Sequence, residues 1–218
     1  MKVYKELKER HRRVRESQGD HLSTRIHRAL SWLHRAEQCA DDIDGQFIFL
    51  WISFNAAYAQ EICLEEMPAE RRRFDSFIEH LCRLDGKGRL ETLVWQEFSG
   101  TIRILLGNQY VFQPFWDFQN GKISEETWQA KFDRANATAK KALSRQDTAR
   151  VLSTVLSRAY TLRNQIVHGG ATWNSKINRD QVRDYSKFIS CLLPIVIEIL
   201  MDNPSEEWGN PCYPVVYM

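Results

Sequence analysis

Along most of the chain, apolar residues recur every three or four positions, the spacing that gathers them on one face of an α-helix. After a basic helical arm at 1–20 that frays at Ser17-Gln18-Gly19-Asp20, Ile26, Leu30, Leu33, Ala36 and Ala40 follow this rhythm, with Trp32 on the flank. Ser23 or Thr24 stands where an N-cap belongs. Residues 47–59, FIFLWISFNAAYA, are apolar on nearly every face. They predict a central, enclosed helix over 46–64, with Asp44 as its N-cap. A shorter helix follows Pro68 and runs to about Leu84, where Asp85-Gly86-Lys87-Gly88 closes it. Residues 89–106 read as helical, and Gly107-Asn108 ends them. An aromatic loop comes next, with Tyr110, Phe112, Phe115, Trp116 and Phe118. Ser124 opens a helix to Leu143. Asp147 opens another, which carries Val151, Leu152, Val155, Leu156, Ala159, Leu162 and Ile166 and stops at Gly169-Gly170. Asn178 or Asp180 begins the last, with Val182, Tyr185, Leu192, Val196 and Leu200 on its stripe, a kink at Pro194 and an end at Asn203-Pro204. The pattern predicts an all-α protein, a bundle of four long helices with extra short helices and an aromatic-rich insertion.

Composition agrees with a packed fold. The 218 residues are 43% hydrophobic and 27% charged, with only 10 Gly and 6 Pro, enough apolar material for a core and few turn residues. This length reads as a basic N-terminal arm (1–20), one helical domain (21–203) with an insertion at about 85–145, and an extended tail (204–218). The most apolar stretch, 189–201, contains Pro194 and Glu198 and is too short to span a bilayer. No membrane partner is expected, and the charged N-terminus does not resemble a secretory signal, so the expected location is the cytoplasm. Five cysteines, Cys39, Cys63, Cys82, Cys191 and Cys212, are widely spaced and never in a C-x-x-C pair, which argues against a disulfide framework or a cysteine zinc site. The net charge is only +2, yet Lys2, Lys5, Lys8, Arg10, Arg12, Arg13 and Arg15 crowd the arm, and Arg71-Arg72-Arg73 forms a second cluster. Such clusters can track phosphates; a solvated helix face is the simpler reading of each.

Candidate chemistry is sparse. The chain has no P-loop, no G-x-G-x-x-G, no G-x-S-x-G and no zincin motif, and no cofactor is implied. His27 and His34 could share a helix face but lack a third ligand at metal spacing. Asp41, Asp42 and Asp44 could hold Mg²⁺ or simply cap a helix. The aromatics at 110–118 could stack on bases, but no basic residue is interleaved with them, which favours a packed lid. One segment stands apart: Leu162-Arg163-Asn164-Gln165-Ile166-Val167-His168-Gly169-Gly170. On an ideal helix Asn164 and His168 lie about 40° apart, and Arg163 about 140° from His168, within reach of its long side chain. An imidazole for proton transfer beside a fixed cation is what metal-free RNA cleavage by the 2′-hydroxyl needs. A His in the last turn is also favourable simply as a partner for the helix dipole.

The string RNQIVHGGATW (163–173), with Arg, a polar residue, three more positions and His, resembles the signature of the HEPN superfamily. Together with FIFLWISFNAAYA it is similar to Apea-like or stand-alone bacterial HEPN proteins, over about 23–64 and 147–201. The resemblance implies an up-and-down helical bundle that forms a homodimer. Two Arg/His motifs then share one cleft as a metal-independent endoribonuclease acting on RNA, in a toxin or antiviral effector that has an antitoxin or immunity partner. Arg163 and His168 match the catalytic pair and Asn164 the polar residue after Arg. Asn55, polar on an apolar helix, is either a substrate-binding residue of the same cleft or a core amide. Family members silenced by nucleotide transfer to a tyrosine carry His-x-Tyr, and Gly170 stands in that place here. A catalytically silent dimerisation or regulatory module, or a nucleotide-binding module, are the alternatives.

Overall fold

The computed structural model describes residues 3–58, 67–176, 178–211 and 213. The protein is an all-α helical bundle. Its helices are α1 (Val3–Val14), α2 (Asp20–Glu37), α3 (Ile43–Tyr58), α4 (Met67–Leu84), α5 (Arg89–Thr92), α6 (Ser99–Gly107), α7 (Gln113–Gln119), α8 (Glu125–Ser144), α9 (Thr148–Val167) and α10 (Arg179–Asp202). Among the described residues there is no β-strand, and no helix is long and apolar enough to cross a membrane. The chain forms two compact units, 1–87 with 186–218, and 88–185. The segment expected as an insertion at 85–145 is therefore part of a larger unit that also takes in α9, because α6, α8 and the turn at 109–111 pack along that helix.

In the first unit α2 and α3 form the main pair. Ile26, Ala29, Leu30 and Leu33 of α2 and Phe47, Leu50, Trp51, Phe54 and Ala57 of α3 are buried, and the Ser53 hydroxyl donates to the Ala29 carbonyl at 2.7 Å. Helix α2 begins at Asp20, earlier than Ser23 or Thr24, because the extended backbone of Gly19 already turns its carbonyl to the Ser23 N–H. Helix α3 is capped by Asp42, whose carboxylate accepts from the Gly45 N–H at 3.0 Å, and not by Asp44, which already lies within the first turn. Phe49, Ile52 and Ala56 are only half-buried, so α3 is less enclosed than its composition predicts. Trp32 stacks on Phe49 at 5.6 Å, and the Arg35 guanidinium lies 4.8 Å above the same ring. Residues 59–64 of the predicted helix lie outside the described residues, as do Cys63 and Cys212, while Cys39, Cys82 and Cys191 take part in no disulfide among the described residues.

The basic arm is a helix seated on α2. Leu7 and His11 are buried, Tyr4 stacks on His34 at 4.1 Å, and the Tyr4 N–H donates to the Glu37 carboxylate. The tail is also anchored over its described part. Trp208 is buried beside His80 and Phe77, its indole N–H donating to the Asn203 carbonyl. Arg25, 1% exposed, donates to the carbonyls of Ala57, Trp208, Gly209 and Asn210.

In the second unit α5 runs into a π-turn at Leu93–Glu97, where the Phe98 N–H bonds to the Leu93 carbonyl, and α6 restarts at Ser99. The helix predicted over 89–106 is thus interrupted, and Trp95 donates its indole N–H to the Thr148 hydroxyl at 2.9 Å. The aromatic segment is no loop. It forms a 3-10 turn and α7, with Pro114 in the first turn, and Phe115 packs edge-on against Trp128 of α8. Ser124 caps α8 and Asp147 caps α9, as their sequence positions predict. Helix α10 runs unbroken through Pro194 and supplies its first residues to this unit and the rest to the other.

Candidate functional site

Helix α9 owes its orientation to a continuous inner stripe: Val151, Leu152, Val155, Leu156, Ala159 and Leu162 are all buried. That stripe leaves Tyr160, Arg163, Asn164 and Val167 within an outward arc of about 100° near the helix end. Tyr160 and Val167 are 49% and 48% exposed, Arg163 and Asn164 half-buried, and His168 exposed. Past the turn, Trp173 is 74% exposed.

The helix ends in a Schellman turn. Gly170 N–H reaches the Gln165 carbonyl at 2.7 Å and Gly169 N–H the Ile166 carbonyl at 3.2 Å. Gly169 has φ +72°, a left-handed conformation that strains any residue with a Cβ. His168 occupies the C-cap, its backbone N–H bonded to the Asn164 carbonyl at 3.0 Å. Its imidazole therefore leaves the helix end into solvent, with no hydrogen-bond partner among the described residues.

Arg163 and Asn164 are brought together directly. The Arg163 Nη1 donates to the Asn164 Oδ1 at 2.9 Å. The bond fixes one edge of the guanidinium and leaves its remaining donors, and the Asn164 Nδ2, directed elsewhere. A fixed cation, an amide and an accessible imidazole thus occupy one helix end. Such a set can bind a phosphate and move a proton beside it.

Sequence reasoning missed what holds this end in place. The Gln165 Nε2 donates to the Tyr110 carbonyl at 2.7 Å, while its Oε1 accepts from the Asn178 Nδ2 at 3.1 Å. Trp116 donates its indole N–H to the same Tyr110 carbonyl at 2.8 Å. Gln165 thereby staples the motif to the turn at 109–111 and to the residue that opens α10. Only the Gln itself, inside the Arg-to-His string, was available as a signal. The aromatic segment serves as a packed support here: Phe115 is buried, Phe112, Trp116 and Phe118 are half-buried, and Tyr110 alone is exposed. Arg158, also unforeseen, is buried with its guanidinium 4.1 Å from the Phe112 ring centroid. Burial pushes the Tyr185 hydroxyl far above its ordinary pKa, with Arg158 partly opposing the shift.

The other candidates sit elsewhere. Asn55 is half-buried on α3, in the first unit, and its side chain makes no hydrogen bond among the described residues. The aspartate turn serves as a cap through Asp42, and among the described residues no group of three His, Cys, Asp or Glu side chains could hold a metal. His27 bonds to Lys8, and His34 to Gln38. A cavity of about 330 Å³ in the first unit is bordered by Arg72, Arg73, Ser76, His80 and Trp208 and contains none of the candidate residues. Comparison with models of protein families, with characterised proteins and with solved structures finds no match to this chain.

Proposed function

We propose that this protein is an endoribonuclease that cleaves RNA by attack of a ribose 2′-hydroxyl on the adjacent phosphate. The observation that carries this reading is the hydrogen-bonded Arg163–Asn164 pair one turn from the exposed His168, on a helix end held by Gln165. In the reaction the 2′-oxygen bonds to phosphorus and gives its proton to an imidazole. The bond from phosphorus to the 5′-oxygen breaks, and that oxygen takes up a proton. The products are a 2′,3′-cyclic phosphate and a 5′-hydroxyl. Arg163 stabilises the charge of the pentavalent phosphate, and Asn164 positions Arg163.

The reaction needs both a proton acceptor and a proton donor, and one chain carries a single His168. A two-fold homodimer with the α9 ends in contact supplies the second imidazole. The exposed Tyr160 and Val167 beside the motif give such a contact an apolar surface. The same exposed side chains also favour a second reading, a catalytically silent dimerisation or regulatory module that keeps the surface and not the chemistry. The role of a toxin or antiviral effector with a neutralising partner belongs to this proposal through the HEPN resemblance alone.

The test is incubation of the purified chain with end-labelled single-stranded RNA in EDTA, with light scattering on the same sample. Cleavage to a cyclic phosphate by a dimer is expected. No cleavage under any condition by a folded dimer hands the protein to the silent-module reading.

A further inference from the structure

The basic stretch at the N-terminus acquires a definite geometry once α1 is seated on α2. The two helices run antiparallel: Tyr4 meets His34, Lys8 meets His27, and His11 meets Ser23. With Tyr4, Leu7 and His11 turned inward, Lys5, Lys8 and Arg12 fall within an arc of about 60° along α1, and Arg15 follows in a 3-10 turn at 15–17. His27 of α2 borders them.

This cluster is held without a counter-ion. The Lys8 Nζ lies 3.0 Å from the His27 Nδ1, and none of Lys8, Arg12, Arg15, His27 and Arg28 makes an ion pair among the described residues. Glu9 lies on the outer side of the α1 stripe, and Glu16 in the exposed 3-10 turn that follows α1. Burial and neighbouring cations lower the pKa of each inner group. Arg12 and Arg15 act on Lys8; Lys8, His27 and Arg15 act on His11, which falls to about 4; Lys8 and Arg28 act on His27. No carboxylate contributes to any of the three. Like charges at these distances destabilise the fold, and a bound polyanion would reverse the sign of that interaction.

We propose that the face formed by Lys8, Arg12, Arg15 and His27 binds the phosphodiester backbone of an RNA strand. Residues 5–14 of α1 extend about 14 Å, room for several successive phosphates. An acidic lipid surface is the other common partner of a basic helix, and a helix that lies in such a surface also buries apolar side chains beside its charges. Here the apolar side chains of α1 face α2, and only Val3 at the helix start is exposed. The choice of RNA over other polyanions rests on the cleavage reading; the recognition of phosphate does not.

The experiment measures binding of the full chain to a short, labelled 2′-O-methyl RNA by fluorescence anisotropy. This probe lacks the 2′-hydroxyl nucleophile, so binding is read without cleavage, and a failed ribonuclease assay leaves the result intact. Affinity should fall linearly on a log–log plot between about 50 and 200 mM salt. Lys8→Gln/Arg12→Gln/Arg15→Gln should reduce the slope by about 2 and weaken binding at least about tenfold, since each lost phosphate contact removes about 0.7 from the slope on a single strand. Arg12→Gln/Arg15→Gln, which alters exposed side chains only, should reduce the slope by about 1.4 if the triple variant does not fold. Arg13→Gln, outside the stripe, should bind like wild type. Wild type that does not bind the RNA overturns the proposal, as does a folded variant with an unchanged slope. Binding to phosphatidylserine vesicles in place of RNA would assign the face to a membrane instead.

Discussion

Arg163 donates to the side-chain carbonyl of its own neighbour, Asn164, at 2.9 Å. Adjacent helical residues diverge by about 100°, so such a bond forms only when the long arginine side chain folds across the helix surface. The consequence is a guanidinium held over the outward face of α9, one turn before the exposed imidazole of His168.

This relationship orders the expected effects of substitution. His168→Ala should lower RNA cleavage by about 10²–10⁴, the usual cost of a lost proton-transfer group. Arg163→Ala should cost about 10²–10³. Asn164→Ala should do less, because it removes the restraint on Arg163 and not the charge. End-labelled RNA assays check the rates, and unchanged melting temperatures check that the folds are intact. DNA of the same sequence should not be cut, since it lacks the attacking hydroxyl. Wild-type cleavage by His168→Ala defeats the mechanism.

The glycine turn offers a stability test. At Gly169, φ +72° places a Cβ in the left-handed region, which costs a non-glycine residue about 1–2 kcal/mol. Gly169→Ala should lower stability by that amount in urea unfolding, and Gly169→Asn by less, because asparagine tolerates this conformation. Equal stability of Gly169→Ala and wild type would show that the Schellman turn does not form.

Arg25 should be among the most sensitive positions of the first unit. Its guanidinium donates to the carbonyls of Ala57, Trp208, Gly209 and Asn210. Arg25→Met fills much of the volume but leaves those acceptors buried without a donor, a loss of at least about 3 kcal/mol. Limited proteolysis should then cut near 205–211, and the fluorescence of the now-exposed Trp208 should shift to the red. A variant that resists protease as wild type does removes Arg25 from this role.

His11 makes stability depend on pH. It is buried, and its pKa falls from 6.5 to about 4 in the folded protein, through burial and the nearby charges of Lys8, His27 and Arg15. The unfolded chain therefore binds a proton between these values that the folded chain does not. The contribution of His11 is complete above about pH 6.5 and is lost as pH falls towards 4. The urea midpoint of wild type should drop between pH 7 and pH 5 by more than that of His11→Gln. Parallel drops in the two proteins would show that His11 does not carry the effect.

Much of the helical order was legible because it depends on residues close in sequence. Ser124 and Asp147 cap their helices from the positions the sequence marks, and Gly169 ends α9 where its αL conformation is needed. The candidate motif was legible in part: Arg163, Asn164 and His168 stand within six residues, so helix geometry alone places them. Their support was not legible. Gln165 meets the Tyr110 carbonyl, 55 residues away, and no local pattern records that partner. The aromatic segment misled for a related reason. Its polar interruptions resemble a loop, yet Phe115 and Trp128 bury one another and make a helix favourable.

The sequence alone was enough to show that the chain is all-α, where α4, α8, α9 and α10 begin and end, and which faces of α2 and α9 are apolar. Those properties follow from hydrogen bonds and side-chain neighbours within a turn or two, and a one-dimensional pattern carries them in full. That the basic N-terminal helix packs on α2, that Arg25 holds carbonyls 183 to 185 residues further along, and that His11 stays neutral was settled by tertiary contacts alone. Periodicity states that a face is buried but not what buries it. The partner is chosen where distant segments return to one place, and there the charge, hydrogen bonding and burial of each polar side chain are set.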